Sequence, residues 1–159
     1  MHVELIKAGI EDAEAIHAMQ IAAFKPLLDV YHDYSMSPGA ESLERVLARF
    51  MQPTTDYYII KADGTRVGAI RVVRLDGGGR CRISPIFVLP EFQNKGIASL
   101  TFMRVEELYP PRDGWELDTI LEETGNCHLY EKLGYVKTGR VERFHEGMHM
   151  VFYEKKENV

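Results

Sequence analysis

Six residues near the middle of the chain, Gln93-Asn94-Lys95-Gly96-Ile97-Ala98, follow an apolar run, Ile86-Phe87-Val88-Leu89-Pro90, and lead into a helical pattern. A glycine-centred loop that feeds a helix start aims several free backbone N–H groups, and the positive end of the helix dipole, at one small volume. A phosphate or pyrophosphate suits that volume; a plain strand-to-helix turn accounts for the same residues without a ligand. Gly96 has no Cβ, so the chain can turn there and a ligand can approach its backbone. Small Ala98 extends the clearance into the first helical turn. Two other stretches invite chemistry and yield less. Cys127-His128 sets a thiol beside an imidazole, but adjacent helical residues point about 100° apart and do not face each other. With Cys81 elsewhere, both cysteines read as structural. Asp76-Gly77-Gly78-Gly79 lacks the G-x-G-x-x-G spacing of a nucleotide loop and leads to a strand, so it reads as a hairpin turn.

The string Gln93-x-x-Gly96-x-Ala98 after a strand resembles the Q/R-x-x-G-x-G/A acyl-CoA motif of the GNAT superfamily of N-acyltransferases. A second segment, Asn126-Cys127-His128-Leu129-Tyr130-Glu131-Lys132-Leu133-Gly134-Tyr135, resembles that superfamily's N-x-x-x-x-Y-E-K-x-G-F/Y segment near the C-terminus. The two cover about a quarter of the chain, and their order and separation make the match specific.

The resemblance implies a pyrophosphate cradle over Gln93, Asn94, Lys95, Gly96, Ile97, Ala98 and Ser99, with the amides of Asn94 to Ser99 as donors. Lys95 either adds charge attraction or faces solvent. The resemblance also implies that the backbone of Ile86, Phe87 and Val88 pairs with the pantetheine arm like an added strand, where a splay leaves groups unpaired. Ser84-Pro85, which removes one donor from this strand, is consistent with broken pairing. Acyl transfer from an activated thioester needs no protein nucleophile, and the resemblance implies direct attack by the amine without an acyl-enzyme. Tyr130 is then the general acid facing the CoA sulfur. A thiol and a phenol ordinarily titrate near ~8.5 and ~10, so the departing thiolate needs only a hydrogen bond or a short-range proton. Asn126 is expected both to cap a helix and to contact the cofactor or an ordered water. Among the carboxylates Asp118, Glu122 and Glu123, the expected general base is Glu122, although water can also carry the proton away. Tyr31, His32 and Tyr34 form either an acceptor-binding loop or an aromatic surface loop.

The length of 159 residues suits one domain, spanning 1–159, with ample material for a core. Apolar residues at 45% and charged residues at 27% describe an ordinary globular protein. A formal net charge of −5 argues against a nucleic-acid partner, without excluding a local pocket for an anionic ligand. No apolar run is long enough to span a membrane, and the start, Met1-His2-Val3-Glu4, lacks a signal-peptide pattern. Two separated cysteines suggest neither a disulfide framework nor a metal site, so a cytoplasmic setting and no metal are expected.

The elements that must position these residues follow from periodicity and turn signals. Val3–Ile6 reads as a strand, and Ala15, Ile16, Met19, Ala22 and Ala23 mark a helix that Pro26 should end. Leu27 to Met36 then reads as irregular. Ser37-Pro38 should open a second helix with a core face of Leu43, Val46, Leu47 and Phe50. Strands 57–61 and 67–75, joined at Asp63-Gly64, lead to the strand 81–88. After the Gly96 loop, a helix bearing Leu100, Val105 and Leu108 runs to Pro110-Pro111. A fifth strand carries Trp115, Leu117 and Thr119, a short helix runs from Asn126 to Gly134, and strands 135–144 and 148–154 close the chain. The order βααβββαβαββ is an α/β, single-domain GNAT-like arrangement, a mixed sheet of about seven strands flanked by about four helices. The expected activity is an N-acetyltransferase moving acetyl from acetyl-CoA to a primary amine, on a small molecule or a peptide lysine. A non-catalytic acyl-CoA-binding module and a transferase of a longer acyl group are the alternatives within the fold. A dinucleotide oxidoreductase is disfavoured by its missing fingerprint. Edge potential in strands 135–154 leaves a homodimer open.

Overall fold

Asp63 and Gly64 both take positive φ (49° and 81°), the conformation a tight hairpin requires, and they join β2 (Thr55–Ala62) to β3 (Thr65–Leu75). The computed structural model describes residues 1–156. Around this hairpin β1 (Val3–Lys7) pairs antiparallel with β2, and β4 (Arg80–Val88) pairs antiparallel with β3 through the glycine turn. Then follow β5 (Trp115–Ile120), β6 (Val136–His145) and β7 (Met148–Lys155). The sheet order is β1-β2-β3-β4-β5-β7-β6, seven strands with one parallel contact, β4 with β5.

Four α-helices cover the two faces among the described residues. On one side lie α1 (Ala13–Tyr31) and α2 (Leu43–Phe50), whose Ala13, Ile16, Ala23 and Val46 pack on Tyr57, Ile59, Ala69 and Phe87 of the sheet. On the other lie α3 (Ile97–Leu108) and α4 (Thr124–Lys132), and Phe102, Val105, Cys127 and Tyr130 join Ile70, Val72, Ile83, Leu117 and Tyr153 in the larger cluster. The alternation along β4 changes phase midway. Cys81, Ile83, Ile86 and Val88 belong to the α3–α4 side and Phe87 to the α1–α2 side, with a register shift against β3 between Ile70 and Val72.

Three boundaries depart from the sequence expectation. The first helix does not stop at Pro26 but runs to Tyr31, where His32 in the left-handed region (φ 56°) caps it. Pro26 removes one helical hydrogen bond, and the following turn is held instead by tertiary contacts: the Tyr31 hydroxyl donates to Glu123 Oε2 at 2.6 Å. Ser37-Pro38 opens only a 3₁₀ turn; Ser42, accepting from the Arg45 amide at 3.2 Å, caps α2. Asn126 does not cap α4, whose N-cap is Glu123; it lies in the first turn, its amide donating to the Glu123 carbonyl at 3.1 Å.

Strand β4 is pressed close to β3 at Gly68, which pairs with Val88. A Cβ at Gly68 would overlap the Phe87 carbonyl oxygen, part of a backbone rather than a side chain that can swing away. Gly68→Ala is therefore expected to lower stability by about 1–3 kcal/mol, as overpacking does, in urea denaturation. A variant as stable as the parent would show that β4 is free to shift.

Candidate functional site

The parallel pairing of β4 and β5 covers two residue pairs, Cys81 with Trp115 and Arg82 with Glu116, and then stops. Arg82 sits at the fork, its guanidinium donating to Glu116 at 3.2 Å and to Asp118 at 2.6 Å on β5. Burial pushes the Asp118 carboxyl up, against the pull of Arg82. Beyond the fork β4 remains paired with β3 through Val88, while its other edge faces no strand.

A cavity of about 340 Å³ lies against this free edge. Ile86, Phe87 and Val88 form one wall, the Gln93–Ser99 loop another, and Phe24 and Leu27 of α1 a third. Asn94 (φ 61°) and Gly96 (φ 80°) both take the left-handed conformation, which swings the chain round into α3. Gly96 is the N-cap and offers no side-chain cap, and the first helical bond of α3 is Leu100 N–H to the Gly96 carbonyl at 3.2 Å. The amides of Ile97, Ala98 and Ser99 are thus left without helical acceptors at the cavity wall. Open space surrounds the position a Cβ would take on Gly96. The donor set and the clearance both fit an anion there.

Gln93 lines this cavity, and its side-chain amide is already engaged, donating to the Val88 carbonyl at 2.9 Å and tying the loop to the end of β4. Lys95 does not line it. Its ammonium lies 5.7 Å from the centre of the Phe92 ring, on the exposed side of the loop.

A second cavity, of about 140 Å³, adjoins the first. Both are bounded by Phe24, Leu27, Ile86, Asn126 and Tyr130, so these residues form the passage between them. The second is mainly apolar, with Met148 and Met150 of β7 and Phe144 of β6 along one side. Tyr130 is 9% exposed, and its ring is held edge-on by Phe102 and Tyr135, with centroids 5.6 and 6.3 Å away. Burial, and then the nearby Asp118 carboxylate, push its hydroxyl well above the ordinary phenol range, so it stays protonated. Asn126 makes no side-chain hydrogen bond to the described residues and faces both cavities.

Glu122 is not brought to this passage. Its carboxylate accepts from the His149 amide at 2.8 Å and lies 2.6 Å from His149 Nδ1. Against the upward push of burial, those bonds hold it below its ordinary value. Glu123 is nearer the chemistry, through Tyr31, which lines the second cavity; burial and Glu123 push the Tyr31 hydroxyl up to about 12. His32 and Tyr34 stack on each other with centroids 6.4 Å apart and line neither cavity. Sequence reasoning missed Phe24, Leu27, Leu28 and the two methionines. The first three lie with Tyr31 at helical spacing, a signal that the proline obscured.

A family model described as the acetyltransferase (GNAT) family matches residues 17–135, which include the fork, the loop and Tyr130. The chain belongs to this family. Membership makes it an acyltransferase enzyme, and the seven-stranded architecture agrees. Solved structures of similar fold include the ribosomal-protein-S18-alanine N-acetyltransferase from Escherichia coli, at 10% identity and a TM-score of 0.78, over 99% of this chain and 96% of that one. Another is the PaiA N-acetyltransferase from Thermoplasma acidophilum in complex with coenzyme A, at 18% identity and a TM-score of 0.74, over 99% of this chain and 100% of that one. A third is an acetyltransferase from Thermus thermophilus, at 14% identity and a TM-score of 0.73, over 99% of this chain and 98% of that one. At these identities the likeness establishes the fold alone. No curated protein matches in sequence.

Proposed function

We propose that the protein is an N-acetyltransferase that moves an acetyl group from acetyl-CoA to a primary amine by direct attack. The observation that carries this reading is the meeting of two cavities at one passage, with a protonated tyrosine and an uncommitted asparagine in its wall. In this reading the pyrophosphate accepts from the amides of Ile97, Ala98 and Ser99, aided by the turn at Asn94 and Gly96 and by the α3 dipole. The pantetheine arm lies along the free edge of β4 at Ile86, Phe87 and Val88. Gln93 acts by holding loop to strand, and Lys95 contributes at most long-range charge. The complex of the PaiA enzyme with coenzyme A supports this cosubstrate by likeness of fold.

The amine comes from the second cavity and attacks the thioester carbonyl at the passage. A C–N bond forms as the C–S bond breaks, and the amine's surplus proton leaves to solvent. Tyr130 donates to the departing sulfur. Because its hydroxyl is a weaker acid than an ordinary phenol, its main contribution is a charge-assisted hydrogen bond to the thiolate, and its proton follows only as the sulfur gains charge. Asn126 orients the thioester or a bound water with its free amide.

Three measurements check this. Gly96→Glu puts an anion and bulk into the cradle; CoA affinity should fall by at least ~30-fold, about 2 kcal/mol, with stability lowered only by the ~1–2 kcal/mol of a left-handed non-glycine residue. Titration calorimetry showing unchanged CoA affinity would remove the cradle assignment. Tyr130→Phe should lower kcat by about 100-fold, at the modest end for an acid catalyst, with CoA affinity unchanged; free-thiol release from acetyl-CoA in the presence of an amine panel measures it. The pH dependence has a definite sign. The phenol is active when protonated and its pKa is raised, so kcat should climb as the amine loses its proton and show no alkaline fall up to pH ~10, the ordinary phenol value. A falling limb below that pH, absent in Tyr130→Phe, would mean a hydroxyl more acidic than its surroundings imply.

A further inference from the structure

The second cavity contains one feature that acyl transfer itself does not use. Asp33, just past the end of α1, is 2% exposed and is the only charged residue in the cavity's lining among the described residues. One carboxylate oxygen, Oδ1, is spoken for: it accepts from the Ser35 hydroxyl and from the Met36 amide, each at 3.1 Å, closing the turn that leads to Ser37-Pro38. The other, Oδ2, is buried and has no hydrogen-bond partner among the described residues. A turn needs only Oδ1. Leaving a buried acceptor without a donor is costly, more so when the group is charged, so a second oxygen kept in that state on a residue that lines a cavity points to a partner outside the chain.

The arrangement of the cavity says which partner. Asp33, Met36, Ser37 and Pro38 line only the second cavity, whereas Ile86, Asn126 and Tyr130 belong to the passage where transfer occurs. The remaining walls are mainly apolar, Leu28, Ile120, Phe144, Met148 and Met150, with Tyr31 and Thr119 as their polar members and no lysine or arginine. An acceptor with its reacting amine at the passage would therefore lay an apolar body along these walls and present its far end to Asp33. Resting on the acetyltransferase reading, we infer that the preferred acceptor carries a second cationic group, an ammonium separated from the reacting amine by a short apolar spacer, and that Asp33 Oδ2 receives it. Oδ2 has no exposed surface, so contact requires the wall to give slightly; unbranched Met36, itself lining the cavity, is suited to that. Asp33 is a specificity residue here, with no part in breaking the thioester.

The test compares a series of α,ω-diaminoalkanes with n-alkylamines of the same carbon number, on the full chain and on Asp33→Asn. Asparagine keeps an oxygen for the Ser35 and Met36 bonds and removes the charge. Two readouts are taken: kcat/KM by free-thiol release, and amine binding to the CoA complex by calorimetry. The parent should favour the best diamine over its monoamine by at least ~30-fold, the ~2 kcal/mol expected of a hydrogen bond to a charged group. In Asp33→Asn that ratio should fall to within about threefold. A turn-stabilising role alone would depress both substrates and leave the ratio in place. That result, or a parent with equal preference for both, would overturn the inference while the acetyltransferase reading stood. Diamine binding that depends on Asp33 without any thiol release would uphold the site and remove the transfer reading. Absence of both Asp33-dependent binding and discrimination would mean that Oδ2 serves no ligand.

Discussion

The site depends on two strands that begin a parallel ladder and abandon it after two residue pairs. A parallel contact is the weaker kind of pairing and here has little length to resist separation. What holds the fork open is the company each strand keeps on its other side. β4 stays paired with β3 as far as Val88, across a register shift, and β5 stays paired with β7 as far as Ile120. The ladder bonds lost inside the fork are thus offset by two antiparallel ladders outside it. Arg82, bonded to both Glu116 and Asp118, closes the end where the strands still touch. The opening is therefore a property of the sheet, and the helices furnish it. α1 supplies Phe24 and Leu27, α4 supplies Asn126 and Tyr130, and α3 supplies amides.

Much of this was legible in the sequence because its signals are local. Asp63-Gly64 announces a hairpin by conformational need, and the order of elements follows from periodicity and punctuation. Tyr130 and the Gly96 loop stand in two segments that resemble family motifs through neighbours at fixed spacing, and both line one cavity. The rest depends on contacts between distant segments. Pro26 is a local reason to end a helix, and the helix runs past it to Tyr31, whose hydroxyl is held by a residue 92 positions away. Glu122 and Glu123 are indistinguishable in sequence, yet the chain turns one toward His149 and the other toward Tyr31. Lys95 shows the same limit: charge beside a glycine loop suggests an anion partner, but its ammonium lies over the Phe92 ring. Side-chain direction at a turn is set by the tertiary fold, which a linear pattern does not encode.

The two cavities are lined by different chemistry, and in the proposed reading that difference bears on specificity. No charged residue lines the first among the described residues; an anion proposed there would be drawn by backbone amides and a helix dipole, which most substitutions leave intact. The second recognises by side chains, from α1, the turn after it and the β6–β7 hairpin, with one carboxylate among apolar walls. Part of that wall belongs to the ladder that holds the fork, for Met150 of β7 pairs with Ile120 of β5. β6 is an edge strand paired only with β7, and the turn at Asp33 belongs to no ladder. Changes at the Asp33 turn and on β6 can therefore accumulate with little effect on the strands that shape the first cavity. If the first cavity takes the acyl donor and the second the amine, as proposed, a sheet that fixes the fork while a turn and an edge strand complete the second cavity is physically suited to keep one reaction and vary its substrate.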